Sequence, residues 1–492
     1  MTAAAGPAPD LSDLIKADDV RGVVPDQLSP EVVRSIGAAF ADVVVVPEAC
    51  AGVRPQAVVA HDMRASGPAL VAAFTDGLTS RGVDVTLIGL ASTDGLYYAS
   101  GVLDIPGAMF TASDNPAAYN GITMCRAGAR PVGPDSGLAG IRDGAAQYLT
   151  TGVPVPTDDG AAGSVSERDL LTGYAGFLRS LVDLSAIRPL TVVVDAGNGM
   201  AGFTAPAVLG TGAGLPALPL DVVPLYFELD GTFSNHEANP LEPANLLDLQ
   251  TAVVAHSADI GLAFDGDADR CFVVDEHGDP VSPSAIIALV GLREIARERA
   301  AGRTPTIIHN LITSRVVPDL ARAAGATVVR TRVGHSFIKA EMARHDAIFG
   351  GEHSAHYYFR DFFFADTGML AALHVLAALG GQSHPLSALA EQYEPYCASG
   401  EINSRVADVS AARARVVLAY VTDQGAGPVE VDGLDGLTVS HWGTSPRWWF
   451  NLRASNTEPL LRLNVEAADE DIMAKVRDDV LALVRAGLSE GI

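Results

Sequence analysis

Four short stretches of this 492-residue chain hold groups that could do chemistry together. The first is Phe110-Thr111-Ala112-Ser113-Asp114-Asn115-Pro116. Its serine follows an apolar run and precedes the polar turn Ala118-Tyr119-Asn120-Gly121, the place where open α/β sheets present reactive groups. An ordinary polar turn fits the same residues. The second is Asp265-Gly266-Asp267-Ala268-Asp269-Arg270, set between the apolar runs 261–264 and 271–274. Alternate residues of an extended loop point the same way, so three carboxylates at this spacing converge on a hard-oxygen site suited to Mg²⁺. Without a cation they repel one another. The Gly at the sixth position and the two flanking helices that an EF-hand needs are missing. The third is Gly350-Gly351-Glu352-His353-Ser354-Ala355-His356. Glu352 and Ser354 offer an acceptor and a donor-acceptor, the equipment for gripping vicinal hydroxyls, and His356 can carry a proton or simply donate. This string is weakly specific, and a polar turn fits it equally. The fourth is Arg453-Ala454-Ser455-Asn456-Thr457-Glu458-Pro459, followed by Arg462. Two arginines, hydroxyls and exposed N–H groups in one turn form an anion cradle.

Loops of this kind need rigid strands to aim them. Strand-helix alternation predicts α/β layers with mixed, mainly parallel sheets. Three stretches share a plan. Residues 57–111 run strand, helix, strand, helix, strand. Residues 190–275 begin on Leu190 to Val194 and end with two short strands around Asp265. Residues 305–360 run through Thr306 to Ile308, Thr327 to Val329 and Ala347 to Phe349 before a glycine loop. The tail differs: a helix from Ala411, strands at 448–452 and 461–465, and a final helix from Glu470 predict an α+β unit. Candidate linkers are 151–163, the turn His277-Gly278-Asp279-Pro280, and 392–400. Three related α/β domains and a fourth α+β domain are therefore expected, at 1–157, 158–278, 279–395 and 396–492.

Composition excludes several partners. A formal net charge of −26 argues against nucleic acid, because phosphate backbones select basic surfaces. A local arginine cluster can still bind a small phosphate on an acidic protein. The cysteines, Cys50, Cys125, Cys271 and Cys397, form no CxxC pair, which favours a reducing compartment. The first eleven residues lack the basic start and apolar core of a signal peptide. No apolar run reaches the roughly 18–20 residues that span a bilayer. A cytoplasmic protein without a membrane partner is expected; oligomeric state, monomer or dimer, is left open.

Together and in this order, the four loops resemble those of the α-D-phosphohexomutase superfamily, most closely its bacterial phosphomannomutase/phosphoglucomutase branch. Further stretches carry the resemblance: Lys16 to Gly22 with Arg21, His61-Asp62-Met63-Arg64, Val194 to Gly199, Leu241-Glu242-Pro243, and Thr331-Arg332-Val333-Gly334-His335. The resemblance implies four domains around a central cleft. It makes Ser113 a phosphoserine, with Asp265, Asp267 and Asp269 holding Mg²⁺ together with the seryl phosphate. Glu352 and Ser354 would bind sugar hydroxyls, and Arg453, Ser455, Asn456, Thr457 and Arg462 the phosphate that is not reacting. Arg21, Arg270, His335 and His356 would line the cleft. The implied reaction moves phosphate between O6 and O1 of a hexose phosphate, through phosphoserine and a hexose 1,6-bisphosphate that serves as intermediate and activator.

The sequence departs from the family pattern at four places. Asp114 stands where the family has His, Thr123 where it has Lys, Asp18 where it has Tyr, and Ala355 where it has Gly. The first three remove donors or cations beside a phosphate, and two add a carboxylate. At about 4–6 Å such a carboxylate repels by on the order of 1–4 kcal/mol. A mutase, a diverged phosphosugar enzyme such as a phosphatase, and a phosphosugar-binding protein without turnover all remain consistent with these residues.

Overall fold

The computed structural model describes residues 9–15, 19–133, 136–155, 162–422, 428–454 and 460–486. Its first three sheets repeat one layout. The central strand of each is an apolar run buried on both faces, such as Leu190–Asp195, which helices must cover. In the second sheet, Leu190–Asp195 pairs in parallel with Leu220–Leu225 on one side and Ile260–Phe264 on the other. Ile260–Phe264 then pairs antiparallel with Cys271–Val274, and Pro280–Val281 closes that edge. The third sheet repeats the order with Thr327–Thr331, Thr306–Asn310, Phe349–Gly351, Tyr357–Phe359 and Ala365–Asp366. The first has Asp84–Leu90, Gln56–His61, Gly107–Phe110 and Tyr119–Arg126, with Val20–Val23 and Val165–Glu167 added at its edges.

Each of these three sheets is mixed, with parallel pairings making up most of the ladder. The reason is local. In every one of them one strand ends the parallel part and turns back on itself, and the serine, metal and glycine loops are those three turns. All three therefore occupy one topological position, which chain order alone does not reveal.

The fourth sheet is antiparallel throughout: Cys397–Arg405, Leu460–Ala467, Trp448–Ala454, Leu437–Ser440 and Glu430–Asp432. Helices Val409–Val417 and Glu470–Arg485 start at side-chain caps, where Asp408 and Asp469 accept from Ala411 and Ile472 N–H groups. Two of the expected linkers carry regular structure. The turn 277–280 is the tip of a hairpin inside the second sheet, and 392–400 runs into the strand that opens at Cys397. The small and polar residues of Cys397–Arg405, with Gly400 in their midst and no apolar/polar alternation, hid that strand, which lies at a sheet edge largely in solvent. The expected linker 151–163 lies partly outside the described residues.

One apolar cluster runs through the first three units, from Val58 and Met109 through Val193 and Leu262 to Ile307 and Leu376. The C-terminal unit has its own, around Phe450, Leu463 and Val480. Among the described residues no helix is long and apolar enough to cross a membrane.

Candidate active site

Ser113 sits at φ +45°, in the left-handed region that non-glycine residues seldom adopt. Its loop is held by Arg64, a side chain 1% exposed. Arg64 Nη1 donates to the Pro116 and Tyr119 carbonyls, both at 3.0 Å. Its Nη2 donates to the carbonyls of Ser113 at 3.0 Å and Asn115 at 2.7 Å. Four carbonyls converge on one guanidinium, whose geometry suits such a fan of acceptors. The strained serine is thus fixed from beneath by a residue of the His61–Arg64 stretch.

The metal loop meets this serine directly. Ser113 Oγ donates to Asp265 Oδ2 at 2.8 Å. Arg270 Nε donates to the same oxygen at 2.9 Å, and its Nη2 to Ser113 Oγ at 3.2 Å. A Cβ on Gly266 would lie 2.5 Å from the Ser113 carbonyl oxygen, so the glycine is there for close approach. The carboxylates of Asp265, Asp267 and Asp269 lie within 4.8 Å of one another, as their spacing suggested. The cause differs from the extended alternation expected: the loop is a turn, with Ala268 at φ +62° and its N–H on the Asp265 carbonyl at 3.1 Å.

The donor set fits a hard divalent cation. Asp267 Oδ1 and Asp269 Oδ1 are buried and have no hydrogen-bond partner among the described residues. Buried carboxylate oxygens without donors are costly unless something positive meets them. Burial pushes the Asp265 carboxyl up to about 6, with the charges of Asp267 and Asp114 adding to the effect and Arg270 opposing it. Burial, then Asp267 and Asp265, push Asp269 well above the usual carboxylate range.

A cavity of about 220 Å³ opens above these groups. It is lined by Ser113, Arg270, Asp267, Asp269, Arg21, His335 and His356, so seven of the expected residues come together. Arg21 is aimed by Asp19, which accepts from its Nε at 2.8 Å, and its Nη1 reaches Asn115 Oδ1 at 3.4 Å. His356 shares a 2.9 Å hydrogen bond with Ser354 Oγ and stands 3.8 Å from Asp269. Burial lowers its pKa and keeps the ring neutral. His335 opens helix His335–His345, and its Nδ1 is buried without a partner among the described residues.

Two of the departures also line this cavity. Asp114 Oδ2 stands 3.2 Å from Arg270 Nη2. Burial works against the Asp114 charge, but Arg270 and then Arg21 hold its pKa below the ordinary value. Thr123 presents a short hydroxyl from strand Tyr119–Arg126.

Other expected residues lie elsewhere. Glu352 is 2% exposed and outside the cavity lining. Tyr358 OH donates to its Oε1 at 2.6 Å, while Asn310 and the Gly334 N–H donate to its Oε2 at 3.1 and 3.3 Å. Arg453 and Arg462 face each other across neighbouring strands. Glu401 accepts from both, at 2.6 and 3.0 Å. Ser455, Asn456, Thr457 and Asp18 lie outside the described residues.

Sequence reasoning missed Thr93, Tyr97 and Asp366, which line the cavity, and Lys339, which pairs with Asp366 at 2.6 Å and lies 3.9 Å over the Tyr97 ring. For Asp366 a signal existed: Thr367 before the run Gly368–Gly380 is a helix N-cap, which puts its neighbour at a strand-to-helix turn.

Four family models of the phosphoglucomutase/phosphomannomutase type match in sequence: alpha/beta/alpha domain I on residues 12–149, domain II on 172–278, domain III on 282–396 and the C-terminal domain on 401–483. The chain belongs to this phosphoglucomutase/phosphomannomutase family. A phosphomannomutase of Salmonella montevideo is 38% identical over 479 residues, 96% of this chain and 98% of that one. A solved phosphoglucomutase/phosphomannomutase family protein from Burkholderia thailandensis superposes with TM-score 0.82 at 30% identity, covering 97% of this chain and 98% of that one. At 14% identity, an Aspergillus fumigatus N-acetylphosphoglucosamine mutase shares the fold, with TM-score 0.56 over 80% of this chain and 93% of its own; it was solved with GlcNAc-6P and magnesium.

Proposed function

We propose that this protein is a phosphohexomutase that moves a phosphoryl group between O6 and O1 of a hexose phosphate, with Ser113 as the carrier. The contact of Ser113 Oγ with Asp265, beside Arg270 and two carboxylate oxygens without a hydrogen-bond partner among the described residues, carries this reading. It supplies a nucleophile, a cation site and a guanidinium on one point, which is what phosphoryl transfer asks of a protein.

In the forward half-reaction a sugar hydroxyl attacks the phosphorus of phospho-Ser113. The bond from phosphorus to Oγ breaks as the one to the sugar oxygen forms. The hydroxyl proton passes to a base in the cavity, for which neutral His356 is placed. Arg270 donates to Oγ and stabilises charge on the departing serine oxygen. The hexose bisphosphate so formed returns its other phosphoryl group to Ser113 by the reverse path. Asp265, Asp267 and Asp269 would hold Mg²⁺, which supplies charge neutralisation when bound. Arg453 and Arg462, with Ser455, Asn456 and Thr457, are read as holding the distal phosphate, and Glu352 and Ser354 as contacting sugar hydroxyls. Arg21 and His335 bound the cavity as phosphate-facing groups.

Asp114 favours a second reading. Its carboxylate faces the guanidinium that a phosphoryl group on Ser113 would need, which suits a diverged enzyme that yields inorganic phosphate. One experiment separates the two. Wild type should carry one phosphoryl group by intact mass, lost in Ser113→Ala, and should convert mannose 1-phosphate to mannose 6-phosphate with Mg²⁺ and a hexose bisphosphate. Release of inorganic phosphate in place of the 6-phosphate, followed by phosphorus NMR, would reject the mutase reading.

A further inference from the structure

Thr93 and Asp94 lie at the point where the first three units meet. Asp94 is fully buried in the first turn of helix Thr93–Leu103. Tyr174 OH, from the second unit, donates to its Oδ2 at 2.7 Å. Thr367 Oγ1, from the third, donates to the same oxygen at 2.6 Å. Ser92 Oγ donates to Oδ1. A buried carboxylate is tolerated only while its donors are in place. These donors come from three separate segments, so the carboxylate is satisfied only when all three units are assembled.

The neighbouring residue reaches the cation site. Thr93 Oγ1 donates to Asp267 Oδ2 at 2.6 Å, and its N–H to the Asp267 carbonyl at 3.1 Å. The helix that Thr367 caps is pressed on the same loop: a Cβ on Gly368 would stand 2.5 Å from the Arg270 carbonyl carbon. Asp366, one residue earlier, lines the cavity. One turn of helix thus touches the junction on one side and a cation-facing carboxylate on the other.

We propose that Thr93 and Asp94 are a positioning pair: Asp94 registers the three units against one another, and Thr93 passes that register to the Asp267 carboxylate. This rests on the carboxylate trio being a cation site. Hydrogen bonds of this kind orient first ligands, and their loss typically weakens metal binding about 10–100-fold.

The test uses the full chain with Mn²⁺ as probe and no sugar phosphate, binding being read by electron paramagnetic resonance. Thr93→Val should weaken Mn²⁺ by about tenfold, and Thr93→Ser, which keeps the hydroxyl, should bind like wild type. Asp94→Ala risks the fold, so Tyr174→Phe removes one donor alone; about threefold weaker Mn²⁺ binding is expected. Unchanged affinity in Thr93→Val overturns the pair. Unchanged affinity in Tyr174→Phe with a lowered melting temperature overturns the link to the junction. Both leave the cation site standing. A wild type that binds no Mn²⁺ overturns the cation site and this inference with it.

Discussion

The metal loop and the distal arginine pair are both unbalanced, in opposite senses. At the metal loop three carboxylates crowd together, Arg270 pairs with two of them, and two of their oxygens meet no hydrogen-bond donor among the described residues. At the C-terminal unit two guanidinium groups face each other and share one carboxylate, Glu401. The first set is buried, so water relieves little of its repulsion. In the second, Glu401 and Arg462 keep 27% and 32% of their side-chain surface in water, and a protein carboxylate stands where the proposed phosphate would bind. The lesson is that charge left over by the fold specifies an ion, and burial sets how badly that ion is needed.

Removing one carboxylate should produce the largest effect. Asp267→Asn is expected to lower kcat by about 10³-fold and abolish Mg²⁺ binding, by analogy with the loss of a group that stabilises transition-state charge. Its metal-free form should melt no lower than wild-type protein in a chelator, because repulsion is relieved. Wild-type turnover would break the comparison at this end.

Arg462→Ala comes next. KM should rise about 10–100-fold with kcat nearly constant, the signature of a contact made equally in ground and transition states. A fall in kcat at constant KM would move Arg462 to the reacting phosphoryl group. Asp114→His with Thr123→Lys should raise kcat/KM about tenfold, since a carboxylate leaves the reacting end and a cation joins it. No change would show that the first end tolerates still more negative charge than its geometry suggests. The smallest effect is expected from Glu401→Gln. Freeing the arginine pair of its internal partner should lower KM about two- to threefold, in keeping with a part-exposed ion pair. A rise in KM would mean that Glu401 aims the arginines rather than competing for them.

Much of this was legible in the chain. Ser113, Asp265, Asp267 and Asp269 announce themselves because each loop carries its groups within a few residues of one another. The three-fold plan was legible from strand and helix alternation. What escaped depends on contacts between distant segments. Arg64 grips carbonyls of the serine loop about fifty residues away, and main-chain acceptors leave no mark on residue type. Thr93 and Asp94 read as an ordinary helix start after the capping Ser92, because their partners lie in other units. The neighbours of Glu352 escaped for the same reason: Tyr358 and Asn310 hold its carboxylate, and neither lies in the glycine loop.

The division of the apolar cores has a consequence for how the molecule opens. The first three units share one cluster, so parting them exposes hydrocarbon to water, at about 25 cal/mol for each Å². The fourth has its own core and is tied to the third by largely polar tethers. The Val333 N–H reaches Asp435 at 3.2 Å, the Arg315 N–H reaches Glu466 at 2.9 Å, and Arg330 pairs with Asp432. Water can replace each of these. Separating the fourth unit from the third therefore exposes less hydrocarbon than parting the first three from one another.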